Sequence, residues 1–335
     1  MKKTLIALAA LGAFASVAQA QSVTLYGVAD VGIVAEDNGV AGSVTRMDSG
    51  GLNGSRWGLK GSEDLGGGLN AIFTLESGFN LDAGSSAQGG LLFGRQSWVG
   101  LNSGANTLKM GRIKNPIYDT SDVYDPFGDS QAGDTARLIN YQGSRTNNNV
   151  VYEYSASGLT VSLQYGLGEV AGNNSKSSTV AGYVKYANGP VGVVLTSETQ
   201  RDATDTYNTQ VTLLGGNYDF KVAKLFLAVA SEQGQAAAAG RDQTDALVGA
   251  TVPVGTAGTL ELSYLKKTDN KVNNANATQT AIGYLHPMSK RTTLYTSYGV
   301  ITSDSGFAYA QSGAAQTITG GKDYSMFSMG IKHSF

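Results

Sequence analysis

Val23-Thr24-Leu25-Tyr26-Gly27-Val28-Ala29-Asp30-Val31-Gly32-Ile33 is apolar or small at every odd position. Val23, Leu25, Gly27, Ala29, Val31 and Ile33 share one face, and Thr24, Tyr26, Asp30 and Gly32 fall on the other. A period of two marks a β-strand with one apolar and one polar face. About ten alternating residues is twice the usual globular strand and matches a tilted strand crossing a bilayer. Trp57, Leu59 and Gly61 alternate the same way with Arg56, Gly58 and Lys60, and Leu69, Ala71, Phe73 and Leu75 with Asn70, Thr74 and Glu76. The pattern returns at Leu159, Val161, Leu163 and Tyr165, and again at Phe327, Met329, Ile331, His333 and Phe335. Two stretches, 92–101 and 225–230, do not alternate cleanly.

Short links at 64–68, 102–106, 156–158, 187–190, 219–223, 253–258 and 286–291 interleave with longer polar ones. The long set is 36–54, 80–90, 114–147, 168–175, 199–206, 232–242, 268–275 and 302–321. Short turns at one rim and long loops at the other are the plan of an outer-membrane barrel. Counting between links predicts sixteen antiparallel strands, all-β, with both ends on the short-turn side. Tyr154, Tyr186, Tyr218, Phe220 and Tyr284 fall where an interfacial aromatic girdle belongs. A barrel of this size encloses water, so the polar face lines a channel and the apolar face meets lipid.

Composition agrees. The 335 residues hold 45 Gly, 17 Tyr and no Cys, and only 15% are charged. Low charge argues against a disordered chain, and the lack of Cys removes disulfides and thiolate sites. Lys+Arg 24 against Asp+Glu 26 leaves no basic footprint for nucleic acid. Lys2 and Lys3, the apolar run 5–17 and Ala18-Gln19-Ala20 read as a cleaved signal peptide over 1–20, with a barrel domain over 21–335.

Ser55-Arg56-Trp57-Gly58-Leu59-Lys60-Gly61-Ser62-Glu63-Asp64-Leu65-Gly66-Gly67-Gly68-Leu69 resembles the second strand, turn and third strand of Gram-negative general porins, closest to the β-proteobacterial type. Ile282-Gly283-Tyr284-Leu285-His286 with Ser289-Lys290-Arg291-Thr292 is similar to the family's penultimate hairpin, and Gly330-Ile331-Lys332-His333-Ser334-Phe335 to its terminal strand. With Val23-Thr24-Leu25-Tyr26-Gly27, the resemblance covers essentially the whole chain after residue 20.

The resemblance implies a homotrimer in outer-membrane lipid and lipopolysaccharide, each barrel narrowed by one inward loop. Link 114–147 is the longest and follows the fifth strand, where that loop belongs; its Asp125-Pro126-Phe127-Gly128-Asp129 is similar to the family's loop tip. By the same resemblance Arg56, Arg95 and Arg145 belong to a cationic wall facing loop acids. Lys60 shares a face with Arg56, while Arg112 shares parity with Leu108 and Met110, which leaves its direction open. The candidate acids are Asp119, Asp122, Asp125 and Asp129. Phe335 ends the last strand as family members do, which implies a signal read by the outer-membrane assembly machinery.

The expected function is passive diffusion of ions and small hydrophilic solutes, with no cofactor and no enzymatic activity. A substrate-selective porin for a sugar, an aromatic acid or phosphate stays open, with Tyr118, Tyr124, Phe127 and Tyr141 as an aromatic set in the loop. An outer-membrane hydrolase needs a base near a nucleophile; only His286 and His333 exist, on the predicted short-turn and lipid sides. The run 119–129 lacks the ligand order of a calcium loop, and Gly320-Gly321-Lys322-Asp323 lacks that of a phosphate loop.

Overall fold

The computed structural model describes residues 21–234, 241–271, 274–306 and 317–335; the expected signal segment lies outside them. Sixteen long strands run in chain order: β1 (Gln21–Asp37), β2 (Arg56–Gly66), β3 (Leu69–Asn80), β4 (Gln96–Ser103), β5 (Asn106–Lys114), β6 (Arg145–Ala156), β7 (Leu159–Gly166) and β8 (Thr179–Asn188). They continue as β9 (Val191–Arg201), β10 (Asn208–Asp219), β11 (Lys224–Gly234), β12 (Arg241–Val254), β13 (Gly258–Asp269), β14 (Ala277–Pro287), β15 (Thr292–Ser303) and β16 (Tyr324–Ser334). Each pairs antiparallel with the next, and β1 closes on β16 from Val28↔Ser334 to Asp37↔Ser325. Closure matters because lipid offers a bare strand edge no hydrogen-bond partner. Two short strands add to the ring: Val44–Ser49 extends the β1 ladder above β2, and Ser85–Ser86 lies on β3.

All seven links expected to be short are tight, from two residues at 67–68 to four at 288–291. The longest link, 115–144, joins β5 to β6. The outward set is apolar and exposed, including Leu25, Val193, Leu227, Ile282 and Phe327. Near the short turns Tyr154, Tyr186, Tyr218 and Phe220 stand exposed, the last two rings 4.5 Å apart.

The two irregular stretches have separate causes. β4 starts only at Gln96, so 92–95 belongs to a connection. In β11 both faces are apolar: Leu225, Leu227 and Val229 face outward, while Phe226, Ala228 and Ala230 are buried on the inside. What covers them is link 115–144, folded into the barrel. The core therefore lies between this loop and the inner wall, joining Ile117, Val123, Tyr124, Leu138 and Ile139 to Val194, Leu213, Phe226, Leu247 and Leu265.

Candidate functional site

The loop starts with two single-turn helices, α1 (Pro116–Asp119) and α2 (Ser121–Tyr124). Asn115 caps α1 by accepting from the Tyr118 N–H at 2.9 Å, and Pro116 occupies the first helical position, where no backbone donor is lost. The same Asn115 side chain donates to the carbonyls of Tyr141 and Gly143, and its N–H reaches the Ser144 carbonyl at 3.2 Å. One residue thus closes the neck of the loop. α1 rests on β8 and β9, α2 on β9, β10 and β11, and the turn at Gln131–Gly133 on β14, β15 and β16.

Glycines make that close fit possible. A Cβ on Gly215 would stand 2.5 Å from Tyr124 Cβ, on Gly249 2.5 Å from Pro126 Cγ, on Gly283 2.7 Å from a ring carbon of Phe127, and on Gly299 2.6 Å from the Ala132 carbonyl oxygen. At distances this short any side chain would force the loop or the wall to shift. Further along, Lys267 is fully buried and pairs with Glu232 at 2.7 Å and Asp245 at 3.1 Å. Glu232 also accepts from the Asn140 N–H of the loop at 2.7 Å. Arg137, buried in the loop, donates to the Gln131 carbonyl at 3.3 Å and lies over the Tyr324 ring of β16. A second connection dips inside as well: Asp30 accepts from the Leu52 and Asn53 N–H groups and from the Tyr295 hydroxyl at 2.7 Å, and the Gln131 N–H donates to the Gly51 carbonyl at 2.8 Å.

The four loop acids divide. Asp125 is buried; it accepts from the Phe127 and Asp129 N–H groups, both at 2.9 Å, and from the Thr135 hydroxyl at 3.0 Å. Asp129 accepts from the Tyr141 hydroxyl and lies 3.2 Å from Thr135 Oγ1. Burial pushes the Asp125 carboxyl up to about 7, and burial with the neighbouring Asp125 charge raises Asp129. Both carboxyls hold the loop's own fold, which separates them from Asp119 and Asp122 among the four candidates whose direction the sequence leaves open. Asp122 is exposed, and Asp119 is half-exposed, 3.1 Å from Lys114 Nζ. Tyr124, Phe127 and Tyr141 are likewise buried, so of the loop's four aromatics only Tyr118 reaches the lumen side.

On the opposite wall three of the five cations expected there converge. Arg56 Nε donates to the Gly54 carbonyl at 2.8 Å, and Arg95 Nη1 lies 2.7 Å from where a Gly54 Cβ would stand. Arg145 Nε donates to the Arg95 carbonyl at 2.7 Å. Arg95 is buried and paired at 2.9 Å with Glu76, which also accepts from the Tyr26 hydroxyl at 3.0 Å. The Arg145 guanidinium lies 5.2 Å from the centre of the Tyr118 ring, so the first turn of the loop touches the cluster. Lys60 stands apart, exposed, over the Tyr26 ring.

Arg112 does not join them. A register shift between Gly111 and Ile113 leaves it as the bulge residue, paired across β4 with Ser97, on the parity of the outward Val99 and Leu101. Its guanidinium donates to the Gly94 carbonyl at 2.7 Å and to Asn147 at 2.5 Å. Glu76, Tyr26, Trp98, Lys109 and Glu153 were not singled out in the sequence, although parity places Tyr26 and Glu76 on the polar faces of β1 and β3. The Lys267 triad joins three strands that no local spacing links.

A closed barrel with an apolar exterior, a wet interior and a loop fixed across it defines a transmembrane channel through which solutes pass without reacting. His286 and His333 sit exposed at the short-turn ends of β14 and β16. The Gram-negative porin family model matches residues 7–306, and the chain belongs to that family. It is 34% identical over 402 residues to an outer membrane porin of Bordetella pertussis and 32% identical over 355 residues to outer membrane porin protein 32 of Delftia acidovorans, covering 100% of both chains in each case. Its fold superimposes on an anion-selective porin from Comamonas acidovorans with a TM-score of 0.84 at 28% identity, over 94% of this chain and 100% of the other. The protein is an outer-membrane porin, a general diffusion channel and not an enzyme.

Proposed function

We propose that loop 115–144 forms a charge-polarised constriction, with Arg56, Arg95 and Arg145 on the wall and Asp119 and Asp122 on the loop, and that the pore prefers anions. The observation that carries this reading is the convergence of three guanidiniums around Gly54 and Arg95, with one carboxylate, Glu76, paired among them. Two unit charges about 10 Å apart interact by roughly 0.4 kcal/mol in bulk water and about 1.7 kcal/mol at an effective dielectric near 20. Several such charges orient water in the opening, so polar solutes and ions pass while apolar ones must displace bound water. The similarity to the anion-selective porin from Comamonas acidovorans supports the sign.

The zero-current potential in a KCl gradient tests it. Replacing Arg56, Arg95 and Arg145 by Ser shifts the potential toward cation preference, and Asp119→Asn with Asp122→Asn shifts it the other way. No movement in either variant removes these residues from the constriction.

We also infer a homotrimer, supported by the outer membrane porin relatives and by a Vibrio cholerae outer membrane protein of the same fold described in trimer form. A mass of one chain in mild detergent contradicts it. The signal peptide over 1–20 and the role of Phe335 as an assembly signal are part of the same reading. The Phe335 ring lies where a Gly27 Cβ would stand, 2.2 Å from its nearest carbon, and its backbone pairs with Gly27 in both directions. Deleting it lowers the outer-membrane level of the protein; unchanged insertion overturns that role.

A further inference from the structure

The open wall carries more than charge: each aromatic side chain along it is accompanied by a cation at the ring face. Tyr118 lies between Arg145 at 5.2 Å and Lys114 at 5.8 Å from the ring centre. Lys60 stands 5.4 Å over Tyr26, and Lys109 stands 5.5 Å over Trp98. The register orders these groups. Thr24, Lys60, Thr74, Trp98, Gly111 and Asn149 form one continuous row across β1 to β6, which puts Lys60 and Trp98 two strands, or about 10 Å, apart on the same inner surface. Gly58 leaves room for the Tyr26 ring to lie over β2, since a Cβ there would meet it at 2.8 Å. Tyr26, Trp98 and Tyr118 are all half-exposed, so ring surface remains for a solute.

The acids on this wall are already engaged. Glu76 is held by Arg95 and Tyr26, and Glu153 lies 3.4 Å from both Lys109 and the Tyr183 hydroxyl. Lys60 meets no carboxylate within ion-pair distance among the described residues. The groups left for a solute are therefore Lys60 beside the Tyr26 face, the Arg145 guanidinium beside Tyr118, and the ring face of Trp98, whose own cation Lys109 is shared with Glu153. A sugar uses rings together with carboxylates and amides for its hydroxyls, and a small inorganic anion uses the cations alone. A carboxylate attached to a flat aromatic ring uses both at once, with its charge at a Lys or Arg and its ring against Trp98 or a tyrosine.

We propose that this wall is a low-affinity track for aromatic carboxylates. The inference rests on the reading of the same wall as the solute path through the constriction. Benzoate and cyclohexanecarboxylate separate ring chemistry from charge, because they match in charge and closely in size and differ in the π-face. With the intact porin in planar bilayers and the two potassium salts on opposite sides, the reversal potential gives their permeability ratio. The expected ratio favours benzoate by about two- to tenfold, the range of one aromatic contact. Trp98→Leu brings it toward one. A ratio near one in the unaltered porin overturns the proposal without depending on any variant's folding. A ratio above one that survives Trp98→Leu removes Trp98, and with it the track as placed here. A KCl potential of cationic sign in the same porin speaks against the anion preference instead, since the two organic anions carry the same charge.

Discussion

Two arcs of the same inner surface follow the same strand geometry and have opposite characters. From β1 to β6 the inward positions are Tyr26, Arg56, Lys60, Glu76, Trp98, Lys109 and Glu153, polar or amphipathic groups in contact with water or with one another. From β9 to β15 they include Val194, Leu213, Gly215, Phe226, Leu247, Gly249, Leu265, Gly283 and Gly299, apolar or missing a side chain where the loop lies on them, and the polar groups among them, such as Gln279 and the Lys267–Glu232–Asp245 triad, are buried rather than wet. The alternation of a strand records which face meets lipid. It does not record whether the other face meets water or protein.

The sharpest way to break this contrast is to remove a charge from each arc. Lys267→Met leaves Glu232 and Asp245 buried without their cation, which costs about 3–5 kcal/mol. Lys60→Met on the open arc changes stability by about 0.5 kcal/mol or less. Thermal unfolding of the two variants in detergent measures the difference, and equal shifts contradict the division.

Next in size is a steric test. Gly215→Val places its Cβ against Tyr124 and overpacks the loop seat by about 1–3 kcal/mol. The displaced loop gives a larger or noisier single-channel conductance, whereas a conductance identical to that of the unaltered porin shows that the seat does not fix the opening.

The smallest effect is on pH. Burial raises the Asp125 carboxyl to about 7, so the folded loop binds a proton more tightly than the unfolded chain does. That contribution is fully present below the ordinary carboxylate range near 3.8 and is lost as pH rises through about 7. Amide exchange in 115–144, corrected for intrinsic rates, is therefore slower at pH 5 than at pH 8. Asp125→Asn flattens the dependence; an unchanged slope in that variant assigns it to another group.

Much of this was legible from residue order. Period-two runs and turn spacing locate the barrel, because each is a local property of the chain; that the longest link folds inward was implied by the resemblance to general porins. Arg56, Arg95 and Arg145 were grouped only through the resemblance to general porins, and Lys60 only through its shared face with Arg56. The directions of the loop acids were not legible, because whether Asp125 faces water or Thr135 depends on a fold closed by Asn115, ten residues earlier, and by Tyr141, sixteen later. Arg112 was left open because it enters the loop yet shares parity with Leu108 and Met110, and the β4–β5 register keeps it on that outward parity. The double-sided apolar run in β11 looked like a failed strand until the loop covering it was in place.

The seam between β1 and β16 sets a condition on how the molecule forms. Val28 meets Ser334, and the two are separated by nearly the whole chain. Closing a flexible segment of about 300 residues carries an entropic cost on the order of 5 kcal/mol before any contact across the join is made. Contacts of such high sequence separation form slowly, so every other strand pair is available before this one. Until then β1 and β16 are both unprotected edges, each ready to zip onto a neighbouring chain. The Gly27–Phe335 exchange of two backbone hydrogen bonds, at 2.9 and 3.0 Å, sits at the short-turn end of that seam. It pins one end of the fastener: with Gly27 set opposite Phe335 every later tooth has a single partner, and a slip of one residue would turn a whole apolar face inward.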